Sequence, residues 1–383
     1  MDKPTVQDIF RRFYPAYLDQ YSPSPVQAKV AHNIMNCKTG AYGANVCVCE
    51  DCGFVQIHYN SCRNRCCPMC QAVPKEMWMD ARREDVLDAP YFHLVFTVPD
   101  ILNPVIYSNQ RLLYDALYHA ASSTISELTA DPKHLGAKVG YICILHTWGS
   151  EMNFHPHIHT VLLGGGLASN NQWRDNGENF FLPIRVISKV FRGKYLEELK
   201  RLWAEDKLVF HGTAEKFRNH YTFKELLDSC YGMDWIPHCK KTFNGAQTVI
   251  KYLGKYTHRI AVSNHRIVRM DDDTVTFLVK DYRNEGQWKE LTISGVEFVR
   301  RFLMHVPPRR FVRIRHYGLL CSRTKSQKLT LCRNLLGCKK YLSKLRDMEM
   351  PEILEHLYGI KVCVCKACGG HLGKPQMRMP LRC

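Results

Sequence analysis

The chain reads FHPHIHTVLL from Phe154 to Leu163, and three consecutive glycines follow. β-Branched and apolar residues closed by glycines are typical of a buried β-strand. Side chains two residues apart on a strand share a face, so His157 and His159 project together while Ile158 points into the core. Two imidazoles side by side on a rigid strand suit a divalent metal ion, and we predict that these two histidines bind one. A histidine pair satisfied within the core, or a simple zinc-hydrolase site, is the plainer alternative.

A second motif, YLGKY, runs from Tyr252 to Tyr256 within a helical pattern predicted over residues 246–256. Residues four apart stack on one face of a helix, so the two hydroxyls point the same way. A tyrosine oxygen can attack a phosphate and keep it as a covalent ester, while bound magnesium or manganese polarises that phosphate. Together the two motifs predict an enzyme that breaks a phosphodiester and holds the new end on tyrosine.

The charge of the chain points to a nucleic-acid partner. Lys and Arg number 53 against 36 Asp and Glu, which gives a net charge of +17. From Arg300 to Arg346 there are fourteen basic residues and no acidic one, and aromatic residues are interspersed among them. Basic residues neutralise phosphates and aromatic rings stack on bases, so we predict DNA binding here rather than a merely solvated face. The predicted phosphate contacts are Arg309, Arg310, Arg313 and Arg315.

Eighteen cysteines in a chain without a secretory signal favour zinc over disulfides, and we expect two or three structural zinc ions. Two cysteines separated by two residues form a zinc knuckle, and two knuckles complete a tetrahedral site. The first predicted site joins Cys49, Cys52, Cys67 and Cys70. The second takes the remaining thiols of this region, Cys37, Cys47, Cys62 and Cys66. The third contains Cys365 and Cys368, with partners left open among Cys363, His371 and Cys383.

The order of predicted elements indicates an α+β fold, with an antiparallel sheet and helices on one side. We predict three units: N-terminal helices and a zinc-binding domain over 1–75, a catalytic domain over 76–305, and a basic region with a zinc knuckle over 306–383. No apolar run approaches the length of a membrane span, and the first residues lack the order of a secretory signal. We therefore expect no membrane partner and a cytoplasmic protein.

Several motifs together resemble a known family, the rolling-circle transposases of the insertion-sequence-ninety-one type within the HUH endonuclease superfamily. The similarity spans nearly the whole chain. Its motifs are YNSCRNRCCPMCQ from Tyr59, FTVP from Phe96, HPHIH from His155, YLGKYTHR from Tyr252 and YGLL from Tyr317. The resemblance implies a ferredoxin-like nuclease core, with the histidines on a central strand and the tyrosines on a neighbouring helix.

The resemblance also implies an activity: nicking of single-stranded DNA at the ends of a mobile element through a 5′-phosphotyrosine, then joining to target DNA. The superfamily generally adds a third polar metal ligand, for which Gln247 is our first choice and His155 the second. The chain has Cys66 and Asn45 where family members tend to have histidine, and Cys47 is a candidate substitute. A replication initiator with the same chemistry and a non-catalytic zinc-dependent nucleic-acid-binding protein remain alternatives.

Overall fold

The computed structural model describes residues 3–176, 182–235, 237–243, 248–249, 254, 261–281 and 286–378. The strands are β1 (Ala44–Val48), β2 (Val55–Tyr59), β3 (Tyr91–Thr97), β4 (Lys138–Trp148), β5 (Phe154–Leu167), β6 (Trp173–Asp175), β7 (His238–Phe243), β8 (Ile267–Met270), β9 (Thr274–Asp281), β10 (Gln287–Ser294), β11 (Ile314–Gly318) and β12 (Gln376–Arg378). The helices are α1 (Val6–Leu18), α2 (Pro25–Met35), α3 (Ala72–Arg83), α4 (Asn103–Ser108), α5 (Gln110–Ala130), α6 (Ile184–Ala204), α7 (His220–Gly232), α8 (Gly295–Met304), α9 (Lys325–Leu336) and α10 (Met350–Tyr358). No helix within these ranges combines the length and the apolar character that crossing a bilayer requires.

An antiparallel sheet of six strands forms the centre of the molecule and confirms the α+β prediction. Its strand order is β11-β4-β5-β3-β7, and β6 pairs with the end of β5. The histidine strand β5 is therefore flanked on both sides, by β4 and by β3. The register places His159 opposite Ile144 of β4 and Val95 of β3. A strand held on both edges is a rigid support for side chains that must bind a metal ion.

The two faces of this sheet bury different side chains, because successive residues of each strand alternate between them. Ile158 and Leu162 of β5 pack into the largest apolar core, together with α5, α6 and α7. Val161 and Leu163 point to the opposite face, where they share a second core with α3 and α9. Helices thus cover part of both faces, rather than one side as expected. Val161 and Leu163 share a face of β5 with His157 and His159. Burying these two apolar side chains under α3 and α9 removes them from water.

A smaller sheet, with strand order β10-β9-β8, packs with α1, α2 and α8 around a separate core. Phe10 of α1 meets Phe302 of α8 edge to face, and Phe277 of β9 meets Phe298 in the same way. Thr5 begins α1 with a capping box, in which its hydroxyl accepts from the backbone N–H of Asp8. The N-terminal helices are therefore built onto a sheet formed about 260 residues later in the chain.

The segments of the three predicted units are interleaved in space. β11 belongs to the predicted C-terminal unit, yet it is an edge strand of the central sheet, paired with β4. β12 pairs with β1 and extends the zinc-region hairpin to a three-stranded sheet, β12-β1-β2. The sequence alone could not predict that β11 pairs with β4 or that β12 pairs with β1, because strand pairing between distant segments leaves no local pattern.

Candidate metal centre and DNA-binding surfaces

Three buried histidines meet on one face of the central sheet. His157 and His159 lie on β5 and His146 lies on β4, directly opposite His157 in the register. Each side chain is buried, and the nitrogens that could bind a metal lie within 4.8 Å of one another. The Nε2 atoms of His157 and His159 are 3.1 Å apart. This separation suits two ligands of one ion, because zinc-like metals bind imidazole nitrogen at about 2.0–2.1 Å.

Hydrogen bonds on the far side of the rings orient two of these ligands. Nδ1 of His157 lies 2.7 Å from the carbonyl oxygen of His155, to which it can only donate, so the Nε2 lone pair is free for a metal. Nδ1 of His159 lies 2.9 Å from Nε2 of His93, on the neighbouring strand β3. When His159 donates this hydrogen bond, its Nε2 also presents a lone pair. Such outer partners fix ring orientation and raise ligand basicity.

Burial keeps these histidines neutral. It lowers the pKa of His157 to about 4, with a smaller contribution from the nearby His155 ring. Burial likewise lowers the pKa of His159 well below its ordinary value, and the neighbouring His146 ring adds to the effect. Neutral imidazole is the form that binds metals. His157 and His159 can therefore bind a divalent ion at neutral pH without first having to lose protons.

The predicted third ligands do not join this group among the described residues. His155 lies beside Asp100 instead, with 3.3 Å between its Nδ1 and the carboxylate Oδ1. Gln247 lies outside the described residues. Among the described residues, His146 is the third histidine of the group, and Gln247 as a ligand stays a prediction. The sequence offered no local signal for His146 as a ligand, because only the register between β4 and β5 places it beside His157.

The nucleophile candidates Tyr252 and Tyr256 also lie outside the described residues, but residues near them are placed. Val249 is buried in the core cluster that contains Val161 and Met79 of α3. Gly254 approaches α3 so closely that a Cβ at this position would lie 1.8 Å from the Met79 sulfur. Val161 and His159 share one face of β5. Val249 therefore packs in the core on the histidine face of the sheet, and Gly254 packs against α3, which contributes to the same core. These two residues lie on either side of Tyr252 in the sequence.

The histidines open into a cavity of about 330 Å³ that reaches the smaller sheet. On the central sheet its walls include Thr97, His155 and the three metal-candidate histidines. The cavity is also lined by Arg266, Lys280 and Trp288, which lie in or beside the strands β8, β9 and β10 of the smaller sheet. Two cationic side chains facing a metal centre favour an anionic ligand such as a phosphodiester.

The cysteines form two groups of four. Cys37, Cys62, Cys67 and Cys70 make one, and Cys49, Cys52, Cys365 and Cys368 make the other. Sulfur–sulfur distances of 3.8 Å for Cys62–Cys70 and 3.5 Å for Cys49–Cys368 are close to the edge of a zinc–thiolate tetrahedron, about 3.8 Å for Zn–S bonds of about 2.3 Å. Both groups thus fit a structural zinc ion.

The predicted pairing of the thiols is corrected by this arrangement. The Cys49–Cys52 knuckle meets the C-terminal knuckle rather than Cys67 and Cys70, because β12 pairs with β1 and Cys49 bridges to Leu372. Cys67 and Cys70 meet Cys37 and Cys62 instead. Cys47 and Cys66, predicted as ligands, are buried in neighbouring apolar clusters and belong to neither group of four.

The four predicted DNA-binding arginines have different surroundings. Arg309 and Arg310 are exposed. Arg315 instead forms an ion pair with Asp115 and lies 4.0 Å from the ring centre of Tyr118. Arg313 is half-buried, and burial lowers the pKa of its guanidinium. The first two are therefore available to phosphates, while Arg315 links β11 to α5 and Arg313 is less accessible.

Comparisons with known proteins agree with this description. A family model described as "Putative transposase" matches residues 140–328, and one described as "Transposase zinc-binding domain" matches residues 9–98. The chain is 40% identical to putative transposase y4qJ of Sinorhizobium fredii, over 95% of this chain and 93% of that protein. It is 30% identical to the transposase for insertion sequence element IS801 of Pseudomonas savastanoi pv. phaseolicola, over 79% of this chain and 72% of that protein.

Among solved structures, conjugative relaxase TrwC in complex with oriT DNA is similar over part of the chain. Its metal-bound form gives a TM-score of 0.24 at 15% identity, over 43% of this chain and 69% of that one. Its copper-bound form gives 0.26 at 14% identity, over 67% and 96%.

Proposed function

This chain belongs to the rolling-circle transposases of the insertion-sequence-ninety-one type, and we propose that it nicks single-stranded DNA at the ends of its element and joins the released end to target DNA. The buried cluster of three histidines carries this proposal. It lies at the floor of a cavity with cationic walls, where a phosphodiester and a divalent ion can meet.

In the proposed centre His146, His157 and His159 hold one magnesium or manganese ion. Manganese belongs to the same divalent first-row series as the metals that imidazole binds, and water and phosphate oxygens, which suit both manganese and magnesium, would complete its coordination. The ion would polarise the scissile phosphate and steady the leaving 3′ oxygen. The chain itself contributes the rigid strand pair that fixes the ligands, and His93, which fixes the ring of His159.

Tyr252 and Tyr256 are the proposed nucleophiles. The tyrosine oxygen forms a bond to phosphorus, the bond to the 3′ oxygen breaks, and the phenolic proton is lost to a base or to solvent. The packing of Val249 and Gly254 on and beside the histidine face supports this placement. On the helix that the sequence predicts, two tyrosines four residues apart would lie within about one turn, roughly 6 Å along the axis, so that one ion could serve both.

The outer histidine gives a first test. Replacing His93 by Ala should weaken manganese affinity by about ten- to a hundredfold, because His159 loses the partner that orients it. Titration of the protein with manganese, followed by electron paramagnetic resonance, measures this directly. His134→Ala, in the turn before β4, is the control and should leave the affinity unchanged. Equal manganese affinities for the parent and the His93 variant would show that His93 does not support metal binding by His159.

The two thiol groups give a second test, with two zinc ions per chain expected by elemental analysis. Changing Cys365 and Cys368 to Ser should reduce the content to about one and release the C-terminal strand from β1, since zinc binding supplies folding energy. Cys363→Ser, at an exposed thiol outside both groups, should retain two. If the Cys365/Cys368 variant kept two zinc ions, the second group would not be a zinc site.

Salt dependence of DNA binding tests the arginines. Each phosphate contact to a single strand contributes about −0.7 to the slope of log K against log salt. Replacing exposed Arg309 and Arg310 by Ala should reduce the slope by up to about 1.4, whereas Lys200→Ala with Lys207→Ala, on the α6 side, should not. Arg315→Ala should instead lower thermal stability, because Asp115 loses its partner. An unchanged slope in the Arg309/Arg310 variant would place the phosphate-binding surface elsewhere.

A further inference from the structure

Trp288 is a large aromatic side chain left open to solvent at the mouth of the histidine cavity. It lies on β10, and 53% of its surface is exposed. Exposing an indole forgoes the stabilisation that burying its apolar surface would supply. The same cavity is lined by His146, His157 and His159, so the ring and the proposed metal centre face one space.

Cationic groups surround this ring. Lys280 on β9 lies directly opposite Trp288 in the register, and its Nζ is 5.3 Å from the ring centre. The Arg266 guanidinium is 5.8 Å from the same centre. An exposed aromatic ring with cations beside it is the combination that binds single-stranded nucleic acid, because the base stacks on the ring and the cation attracts the phosphate.

The ring is also held in a fixed relation to the histidines. Arg266 is only 3% exposed, and it donates hydrogen bonds to the carbonyl oxygens of Leu278 on β9 and of Ser150, at 2.7 and 2.6 Å. The backbone N–H of Lys280 donates to the Ser150 hydroxyl at 2.5 Å. Ser150 lies in the turn that joins β4 to β5, between His146 and His157. The smaller sheet is thereby fastened to the loop that connects the two histidine strands.

Further hydrogen bonds join α8 and the residue that follows it to the turn between β4 and β5. Arg301 of α8 donates to the carbonyl oxygen of Glu151 at 2.9 Å, and His305 Nε2 lies 3.0 Å from that of Met152. Nδ1 of the same His305 lies 3.2 Å from the Thr147 hydroxyl, which is on β4 next to His146. The smaller sheet, which carries Trp288, and the metal-candidate histidines are therefore held together as one preorganised surface, which reduces the ordering cost of binding a flexible strand.

We propose that Trp288 is a stacking platform for an unpaired base of the DNA strand close to the scissile phosphate, with Lys280 beside it for a backbone phosphate. The inference rests on the proposed function for its substrate. It adds a residue that positions the strand over the metal centre and requires the DNA there to be single-stranded, since a paired base cannot offer its face to the ring.

Two short probes of equal charge separate stacking from phosphate binding. One is a thymidine 12-mer and the other is a 12-mer of abasic tetrahydrofuran units, both measured by competition in fluorescence anisotropy without added manganese. The variants are Trp288→Ala, Trp288→Phe and, as the control, Tyr221→Ala at an aromatic residue that is 77% exposed on α7. Thermal unfolding and zinc content confirm that each variant is folded.

The parent should bind the thymidine strand more tightly than the abasic strand. Trp288→Ala should lose a factor between about five and 150 in affinity for the thymidine strand, the range found for one base–aromatic stack. It should lose little for the abasic strand, while Trp288→Phe keeps most of the difference and Tyr221→Ala keeps all of it. If Trp288→Ala retained the parental preference for bases, the platform would be disproved.

A nicking assay with added manganese separates this result from the proposed function. If the parent nicks and Trp288→Ala raises KM with little change in kcat, the platform acts on strand binding. Equal kcat/KM for the parent and Trp288→Ala would overturn the platform while the nuclease assignment stood. Loss of base preference in Trp288→Ala together with no nicking by the parent would overturn the nuclease assignment alone.

Discussion

Alanine in place of His146, His157 or His159 is expected to reduce manganese-dependent nicking of single-stranded end DNA by about 10³-fold or more. Each change removes one of three ligands, and the lost charge stabilisation at the phosphate is worth several kcal/mol. DNA binding should persist, because the cationic residues of the cavity wall and the exposed arginines remain. The rate is measured on a labelled oligonucleotide taken from the DNA that flanks the gene.

His155→Ala is the matched control for this series. His155 lines the same cavity and lies two residues from His157, but its Nδ1 faces Asp100 and its side chain is outside the three-histidine group. Its removal should leave manganese affinity largely intact. A His146 variant that nicked at the parental rate while His155→Ala was inactive would exchange the roles assigned to these two residues.

Changing both Tyr252 and Tyr256 to Phe is expected to abolish the covalent protein–DNA adduct altogether. No bond to phosphorus can form at these positions without a phenolic oxygen, and phenylalanine is the smallest change that removes it. Phenol has a pKa near about 10, so attack at neutral pH also depends on the ion or a nearby base. Incubation with single-stranded end DNA and manganese, followed by a denaturing gel, reveals the adduct as a shifted band.

The single variants Tyr252→Phe and Tyr256→Phe show whether one or both tyrosines act as nucleophiles. If each retains part of the adduct, both tyrosines are used; if only one change abolishes it, the enzyme works with one. Tyr221→Phe, at an exposed position on α7, should leave the adduct unchanged. An adduct formed by the double variant would mean that the nucleophile lies elsewhere and that the proposed chemistry is wrong.

The sequence was sufficient to predict the strand that holds His157 and His159, because its two-residue period is a local pattern. His146 and His93 could not be assigned in this way. They lie on other strands, and only the pairing of β5 with β4 on one side and β3 on the other brings them to the same place. The choice of His155 as an alternative third ligand rested on its closeness to His157 in the sequence, which could not show that its ring faces Asp100.

The zinc sites and the surroundings of the arginines were only partly predictable from the sequence, for the same reason. Spacing identified the knuckles, but the partner of each knuckle depends on how a C-terminal strand returns to β1, more than three hundred residues away. Charge identified the basic tract, but spacing could not show that Arg315 faces Asp115 on α5. Acidic partners remote in sequence neutralise part of a tract that contains no acidic residue itself.

The central claim is that three histidines from two neighbouring strands hold the ion that activates the phosphate. Anomalous X-ray scattering at the manganese edge, from crystals of the protein with manganese and single-stranded DNA, tests it most directly. We predict one strong peak within bonding distance, about 2.2 Å, of nitrogens from His146, His157 and His159. A manganese peak away from these three residues, with none between them, would contradict the account.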